Sequence, residues 1–122
     1  MIYRHYTDAE AIPVEAVGTR GVVKRVVAGP HTGAPNFVVR VFTIEQKGYT
    51  PHHMHPYEHG IVILEGEGKV LIDREEHRVS AGSVVTVPPN MPHQVVNDSD
   101  SELVLVCVVP AGVDSDALRL EP

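Results

Sequence analysis

Histidine is the residue type in this sequence with the clearest capacity for chemistry. The chain of 122 residues contains 8 histidines, and their distribution is uneven. His52, His53, His55 and His59 fall close together, whereas His93 lies far downstream, inside the proline-rich run 88–93. Neutral imidazole is a common ligand of transition metals near neutral pH. A histidine cluster completed by a distant histidine therefore makes a metal site the first hypothesis.

The spacing of the histidines indicates which of them can meet. Residues two apart on a β-strand face the same side, and His53, His55 and His59 share their parity with the aliphatic Ile61 and Ile63. Imidazoles on an apolar inner face would lack partners, which is energetically unfavourable. A metal ion removes this penalty by taking one nitrogen of each ring, while the other nitrogen donates to backbone or water. The predicted ligands of one divalent transition metal are His53, His55, His59 and His93.

The remaining histidines have an ordinary interpretation. A lone histidine is usually a satisfied core residue, and a histidine in a polar loop is usually solvated surface. We apply this interpretation to His5, His31, His52 and His77.

The elements that must position these residues are short. The chain contains 10 glycines and 10 prolines, and only 5% of its residues are aromatic. The segments between the turn residues are rich in Val, Ile and Thr, which favour strands. Short strands at regular spacing predict an all-β sandwich or barrel. The predicted strands are 21–28, 37–45, 60–64, 69–73, 83–87, 94–97 and 102–109, and a helical turn or two is predicted only for 114–120.

A chain of this length fits one domain. We divide it into an N-terminal arm or edge strand at 1–20, a β-barrel at 21–110 and a C-terminal tail at 111–122. The predicted strands at 37–39 and 103–106 are apolar on both faces. Because an exposed two-sided apolar strand is an aggregation hazard, we expect a homodimer.

Charge and hydrophobicity exclude several kinds of partner. The formal net charge is -6, and no stripe of basic residues is present, so nucleic acid is not an expected partner. The longest apolar run, 103–109, is too short to cross a bilayer. The first ten residues lack the apolar core of a signal peptide, and the single Cys107 cannot form an intrachain disulfide. We therefore expect a cytoplasmic protein without a membrane partner.

Two spaced motifs resemble the cupin family and span residues 48–97. The first motif has a glycine, an HxH pair, a further ligand and a glycine, here Gly48, His53, His55, His59 and Gly66. The second motif is matched by Gly82, Pro88, Asn90, His93 and Asn97. The resemblance implies a single double-stranded β-helix, the cupin or jelly-roll barrel, that holds one divalent metal ion.

Three departures from the family pattern are visible. The gap between Gly48 and His53 is one residue short, and Asn90 replaces a turn glycine, which asparagine tolerates because it can adopt positive φ. His59 occupies the place of the usual glutamate. The alternative is that the adjacent Glu58 is the ligand, through a local bulge.

The four-histidine set is similar to that of small stand-alone bacterial cupins with a manganese site. This similarity implies Mn(II), with Fe(II), Zn(II), Ni(II) and Cu(II) as alternatives. Four neutral imidazoles leave the full charge on the cation, which favours an anionic or chelating substrate.

Parity and the resemblance also suggest which residues line the pocket. The candidates are Arg40, Phe42, Ile61, Leu105 and Cys107. Arg40 interrupts an apolar strand and can fix a carboxylate or enolate from inside the barrel, or it lies outside in a surface ion pair. Cys107 either lines the cavity or serves as a small core hydrophobe.

These expectations favour an oxidoreductase, dioxygenase-like in using oxygen or peroxide, that acts on a small molecule. A non-redox metal-dependent isomerase or lyase is one alternative. A small-molecule-binding or sensing module without turnover is another.

Overall fold

The computed structural model describes residues 4–113, and nearly all of its regular structure is β. Two short 3₁₀ turns lie at Tyr6–Asp8 and Pro30–Thr32. The strands are β1 (Ile12–Pro13), β2 (Arg20–Ala28), β3 (Phe37–Tyr49), β4 (His59–Glu65), β5 (Glu67–Ile72), β6 (Glu75–Ser80), β7 (Val84–Val87), β8 (His93–Val96) and β9 (Leu103–Pro110).

The strands pair antiparallel throughout, in the order β6-β5-β8-β3-β9-β4-β7, and β2 pairs with β3 outside this path. Strand β3 is the centre of the sheet because it contacts β2, β8 and β9 along its 13 residues. The predicted all-β barrel class is confirmed.

The cross-strand register places the inward side chains of three strands together. Arg40 on β3 pairs with Cys107 on β9, which in turn pairs with Ile61 on β4. One step along the barrel, Phe42 pairs with Leu105 in the same way. Directly paired residues project to the same face of a sheet, so these five side chains share the interior.

The core itself is aliphatic. It is built mainly of buried valines, isoleucines and leucines from β2, β3, β4, β5 and β9, as the low aromatic content predicts. Ile44, Ile63 and Leu103 are among its fully buried members.

The N-terminal segment lies against the barrel edge. Ile12 and Pro13 of β1 pair with Lys24 and Val23 of β2. Arg25 donates to the carbonyl oxygens of Thr7 and Ala9, at 3.0 and 2.6 Å. The division at residues 20 and 110 and the homodimer both remain predictions, and the predicted helical turn at 114–120 lies outside the described residues.

None of the helices within residues 4–113 is both long and apolar enough to cross a membrane.

Candidate metal centre

Two histidines from separate segments are held opposite each other by the backbone. His53 and His93 form an isolated antiparallel bridge, in which each amide donates to the other's carbonyl oxygen, at 3.1 and 2.9 Å. The loop that delivers His93 turns at Asn90, whose φ is 61° and whose amide donates to the carbonyl oxygen of His55 at 2.7 Å. The positive φ accounts for asparagine at a position where the family pattern has glycine.

These backbone contacts bring three imidazoles to one point. One ring nitrogen from each of His53, His55 and His93 lies within 4.8 Å of the other two. The ring centroids are 4.8 to 5.2 Å apart. The three histidines can hold a metal ion at this point.

The structure places His59, the fourth predicted ligand, beside this group and not within the set of ligand atoms that lie within 4.8 Å of one another. Its ring stacks on that of His55 with centroids 4.2 Å apart, and its centroid lies 5.3 Å from that of His93. Tyr57 stacks on His55 at 4.1 Å. Glu58, the alternative ligand, is exposed to solvent. The position of His59 at the first residue of β4 turns it inward, as its parity predicts.

Hydrogen bonds to the Nδ1 atoms orient the imidazole rings of the cluster. Nδ1 of His55 lies 2.9 Å from the carbonyl oxygen of Tyr57, and Nδ1 of His93 lies 2.8 Å from that of Met91. Nδ1 of His59 lies 3.4 Å from Sγ of Cys107. A carbonyl oxygen can only accept, so in the neutral rings of His55 and His93 Nδ1 carries the proton and Nε2 keeps its lone pair.

The buried Nε2 atoms indicate which kind of group the histidine cluster can bind. Nε2 of His55 and Nε2 of His59 are buried and have no hydrogen-bond partner among the described residues. Such atoms are energetically unfavourable unless satisfied. A metal ion that takes these lone pairs removes the penalty, so the donor set fits a divalent transition metal.

The electrostatics keep His59 neutral. Burial, followed by the neighbouring Arg40 guanidinium and the other three histidines, lowers the pKa of His59 from 6.5 to about 2. A neutral imidazole retains the lone pair that a metal ligand needs.

The cluster opens onto a cavity of about 50 Å³. Three of the four predicted ligands line it, namely His53, His59 and His93. The structure also places all five predicted pocket residues in its wall: Arg40, Phe42, Ile61, Leu105 and Cys107. Sequence reasoning missed Val14, Val22, Thr50, Pro51 and Val95, which complete the lining. Alternation did not single out Val22, because both faces of β2 carry two valines around one basic residue. Val14, Thr50 and Pro51 lie in irregular segments without such a signal.

Arg40 is the charged group of this wall. Its side chain is only 1% exposed, which excludes the surface ion pair. Its Nη2 lies 3.0 Å from Sγ of Cys107, and its guanidinium carbon lies 5.0 Å from the centre of the Phe42 ring. The strand register thus fixes the positively charged Arg40 guanidinium within the same cavity wall as the histidines.

Comparison with known families agrees with this geometry. The family described as "Cupin domain" matches residues 40–109, which is more than half of the chain. The chain belongs to the cupin family. The matched region contains all four predicted ligands of this cupin.

Several solved structures are similar to this cupin. The polyketide cyclase RemF from Streptomyces resistomycificus superposes with a TM-score of 0.84 at 28% identity, over 90% of this chain and 79% of that one. A cupin-2 domain protein from Rhodospirillum rubrum superposes with a TM-score of 0.77 at 27% identity, over 91% and 74% of the two chains.

A sequence relative with a named activity is also found. It is the 1-methylthio-D-xylulose 5-phosphate methylsulfurylase of Rhodospirillum rubrum, 30% identical over 83 residues, which cover 68% of this chain and 53% of the relative. An uncharacterised protein of Methanocaldococcus jannaschii is 31% identical over 65 residues, which cover 53% of this cupin and 47% of that protein. The chain therefore spans about half the length of the curated relatives it matches.

Proposed function

We propose that this cupin is a metal-dependent enzyme that acts on a small anionic molecule. The observation that carries the proposal is the convergence of inward-facing histidines and the buried Arg40 on one cavity. Fold alone does not specify function in a widely used architecture, so these side chains, and not the barrel, support the proposal.

The proposed resident cofactor is one divalent cation held by His53, His55, His59 and His93. Mn(II) is the first candidate because of the four-histidine set, and Fe(II), Zn(II), Ni(II) and Cu(II) are the alternatives. When bound there, such a cation supplies a Lewis acid that polarises a substrate oxygen.

Charge supports an anionic substrate. Neutral imidazoles do not offset the charge of a cation, and Arg40 adds a second positive group to the same wall. None of the described residues that line the cavity is acidic. A carboxylate or enolate is therefore favoured at Arg40, where a guanidinium can donate to it.

The first candidate reaction is the oxidoreductase chemistry expected from the sequence. A dioxygenase-like reaction would break an activated carbon–carbon bond of the substrate and place both atoms of O₂ in the two products. Arg40 would hold the substrate's negative end against the histidine cluster in this reaction.

The second candidate is a non-redox isomerase or lyase. The name of RemF, a polyketide cyclase, and that of the methylsulfurylase favour it, since neither name denotes consumption of oxygen. The third candidate is a binding or sensing module, which would hold the same anion without turnover.

Acetoacetate is a suitable probe because it carries a carboxylate for Arg40 and an acidic carbon between two carbonyl groups. We expect the metal-loaded protein to act on it in one of two ways. Oxygen uptake by the manganese form, with acetate and glyoxylate as products, would support the oxidoreductase. Exchange of the acidic protons with deuterium by the zinc form without oxygen would support the non-redox enzyme.

The control for this experiment is a pair of arginine variants. Arg40→Met should weaken acetoacetate binding about tenfold or more, as expected for loss of a charged hydrogen bond. Arg74→Met, at an exposed position, should leave it unchanged. Acetoacetate binding without turnover would indicate the sensing module. Absence of binding to any metal form, or equal binding by both variants, would contradict the anionic substrate.

A further inference from the structure

The Nδ1 atoms of the clustered histidines do not all contact the same kind of group. His55 and His93 direct Nδ1 to main-chain carbonyl oxygens, which fix the ring orientation whatever the nearby side chains are. His59 directs Nδ1 to the sulfur of Cys107. Among His55, His59 and His93, His59 is the one whose Nδ1 contact is made to a side chain, and a point substitution can remove that side chain.

Arg40 fixes the direction of one contact of the Cys107 sulfur. A guanidinium can only donate hydrogen bonds, and its Nη2 lies 3.0 Å from Sγ of Cys107. The sulfur therefore acts as an acceptor towards Arg40. The thiol keeps its own proton, so the direction of its contact with Nδ1 of His59, 3.4 Å away, depends on the tautomer of His59. A neutral His59 that gives its Nε2 lone pair to a metal ion carries its proton on Nδ1, and the sulfur then accepts from it.

The barrel holds the sulfur in place. Cys107 is 2% exposed and lies on β9 between Arg40 of β3 and Ile61 of β4, with which it is in register. His59 lies two residues before Ile61 on β4. The contact between sulfur and imidazole is therefore set by strand pairing rather than by mobile side chains.

We propose that Cys107 is a positioning residue: its sulfur, oriented by Arg40, accepts the Nδ1–H of His59 and so directs the Nε2 lone pair of His59 at the other three histidines. The inference rests on the proposed metal site, and it assigns to the thiol a structural role in metal binding rather than a nucleophilic one. Without the sulfur, the neutral ring of His59 is free to place its proton on Nε2, where it blocks coordination.

The first test is the tautomer of His59 in metal-free protein, read from long-range ¹H–¹⁵N correlation spectra. We expect the Nδ1–H form in the wild type and in Cys107→Ser, whose hydroxyl oxygen still accepts. In Cys107→Ala we expect the Nε2–H form to be populated. An Nε2–H tautomer in the wild type, or an unchanged tautomer in Cys107→Ala, would overturn the inference.

The second test is the dissociation constant for Mn(II), measured by equilibrium dialysis. Cys107→Ala should bind about 10–100-fold more weakly, as is typical when an outer partner of a metal ligand is lost. Cys107→Ser should recover most of this loss. The matched control is Leu103→Val, which shortens a buried side chain at the first residue of the same strand, paired with Ile44 and outside the cavity lining. Equal weakening by Leu103→Val and Cys107→Ala would show a packing effect and overturn the positioning role.

The two tests separate this inference from the proposed function. If the wild type binds no metal, the proposed function fails while the tautomer measurement still decides the role of Cys107. If the wild type binds metal and Cys107→Ala binds it equally well, only the positioning role fails. Should Cys107→Ala not fold, the wild-type tautomer and the Cys107→Ser variant decide the question.

Discussion

His59 is a residue whose chemistry is strongly altered by its surroundings. Burial and the Arg40 guanidinium hold its pKa at about 2, against 6.5 in the unfolded chain. Between these two values the unfolded chain binds a proton that the folded protein does not. The contribution of the neutral His59 to the free energy of unfolding is therefore largest above pH 6.5, and it decreases as the pH falls below this value.

This difference predicts a pH dependence of the metal-free protein. Between pH 6.5 and 5, the loss of unfolding free energy due to His59 should steepen from about 0.7 to nearly 1.4 kcal/mol per pH unit, as the unfolded chain becomes fully protonated at this residue. Urea titrations in the presence of a chelator measure it. His59→Gln should lack this part of the slope, whereas His77→Gln, at an exposed residue, should retain it. Equal slopes for the wild type and His59→Gln would contradict the buried neutral imidazole.

Individual side chains were predictable from sequence when they lie on regular strands. Alternation predicts an inward direction for His59 and Ile61, because a strand turns successive side chains to opposite faces. Leu105 lies on a strand that is apolar on both faces, and its inward direction was expected from the resemblance to cupins. The contact of Cys107 with His59 and the stacking of Tyr57 on His55 were not predictable. They depend on strand register and side-chain rotamers, which the composition of one segment does not determine.

At the scale of elements, the strand that the sequence failed to predict is β6. Its residues Glu75–Ser80 are mostly charged or polar, and only Val79 is buried. It pairs along one side with β5 and lies at the end of the sheet order, where polar side chains discourage further pairing. The apolar pattern that revealed the inner strands is therefore missing from an edge strand.

The turn between β4 and β5 provides a prediction at this scale. Gly66 has a φ of 89°, and a Cβ there would lie too close to the carbonyl oxygen of Glu102. Gly82 has a similar φ of 93° but open space around it. Gly82→Ala should lower the free energy of unfolding by about 1–2 kcal/mol through backbone strain alone. Gly66→Ala should lower it by roughly 3 kcal/mol or more, because the Glu102 backbone must also move.

Chemical denaturation of both glycine variants measures this difference. A larger loss for Gly66→Ala than for Gly82→Ala is the expected result. Equal losses would show that the close approach of the two backbones is not maintained in solution.

At the scale of the whole molecule, the barrel exposes an apolar area on its outer surface. Val62 and Val84 are a cross-strand pair of β4 and β7, and both are exposed, Val84 by 73%. Leu64 and Val108 on the neighbouring positions are also exposed. Exposed apolar patches often mark contact surfaces, so this is the surface where we expect the predicted homodimer to form.

Sedimentation equilibrium tests this expectation. The wild type should sediment as a dimer, and Val84→Glu should shift it towards the monomer, since a buried unpaired carboxylate is unfavourable. Val17→Glu is the control, because Val17 is 92% exposed and lies outside this area. A wild type that is monomeric at every concentration would contradict the homodimer.

The family and the barrel were predictable from sequence because the two motifs span most of the region that builds the barrel. The reaction was not, because the cavity wall draws residues from the arm, from five strands and from the loop before His53. The substrate is specified by this combined surface rather than by either motif.

The central claim is that histidines from two separated segments hold one divalent cation inside the barrel. The most direct measurement is elemental analysis of protein purified without an affinity tag, with electron paramagnetic resonance of the same samples. We predict one transition metal ion per chain in the wild type and in His77→Ala, and its loss in His55→Ala and His93→Ala. A wild type that binds no such ion after reconstitution, or a His93→Ala protein that keeps it unchanged, would contradict the account.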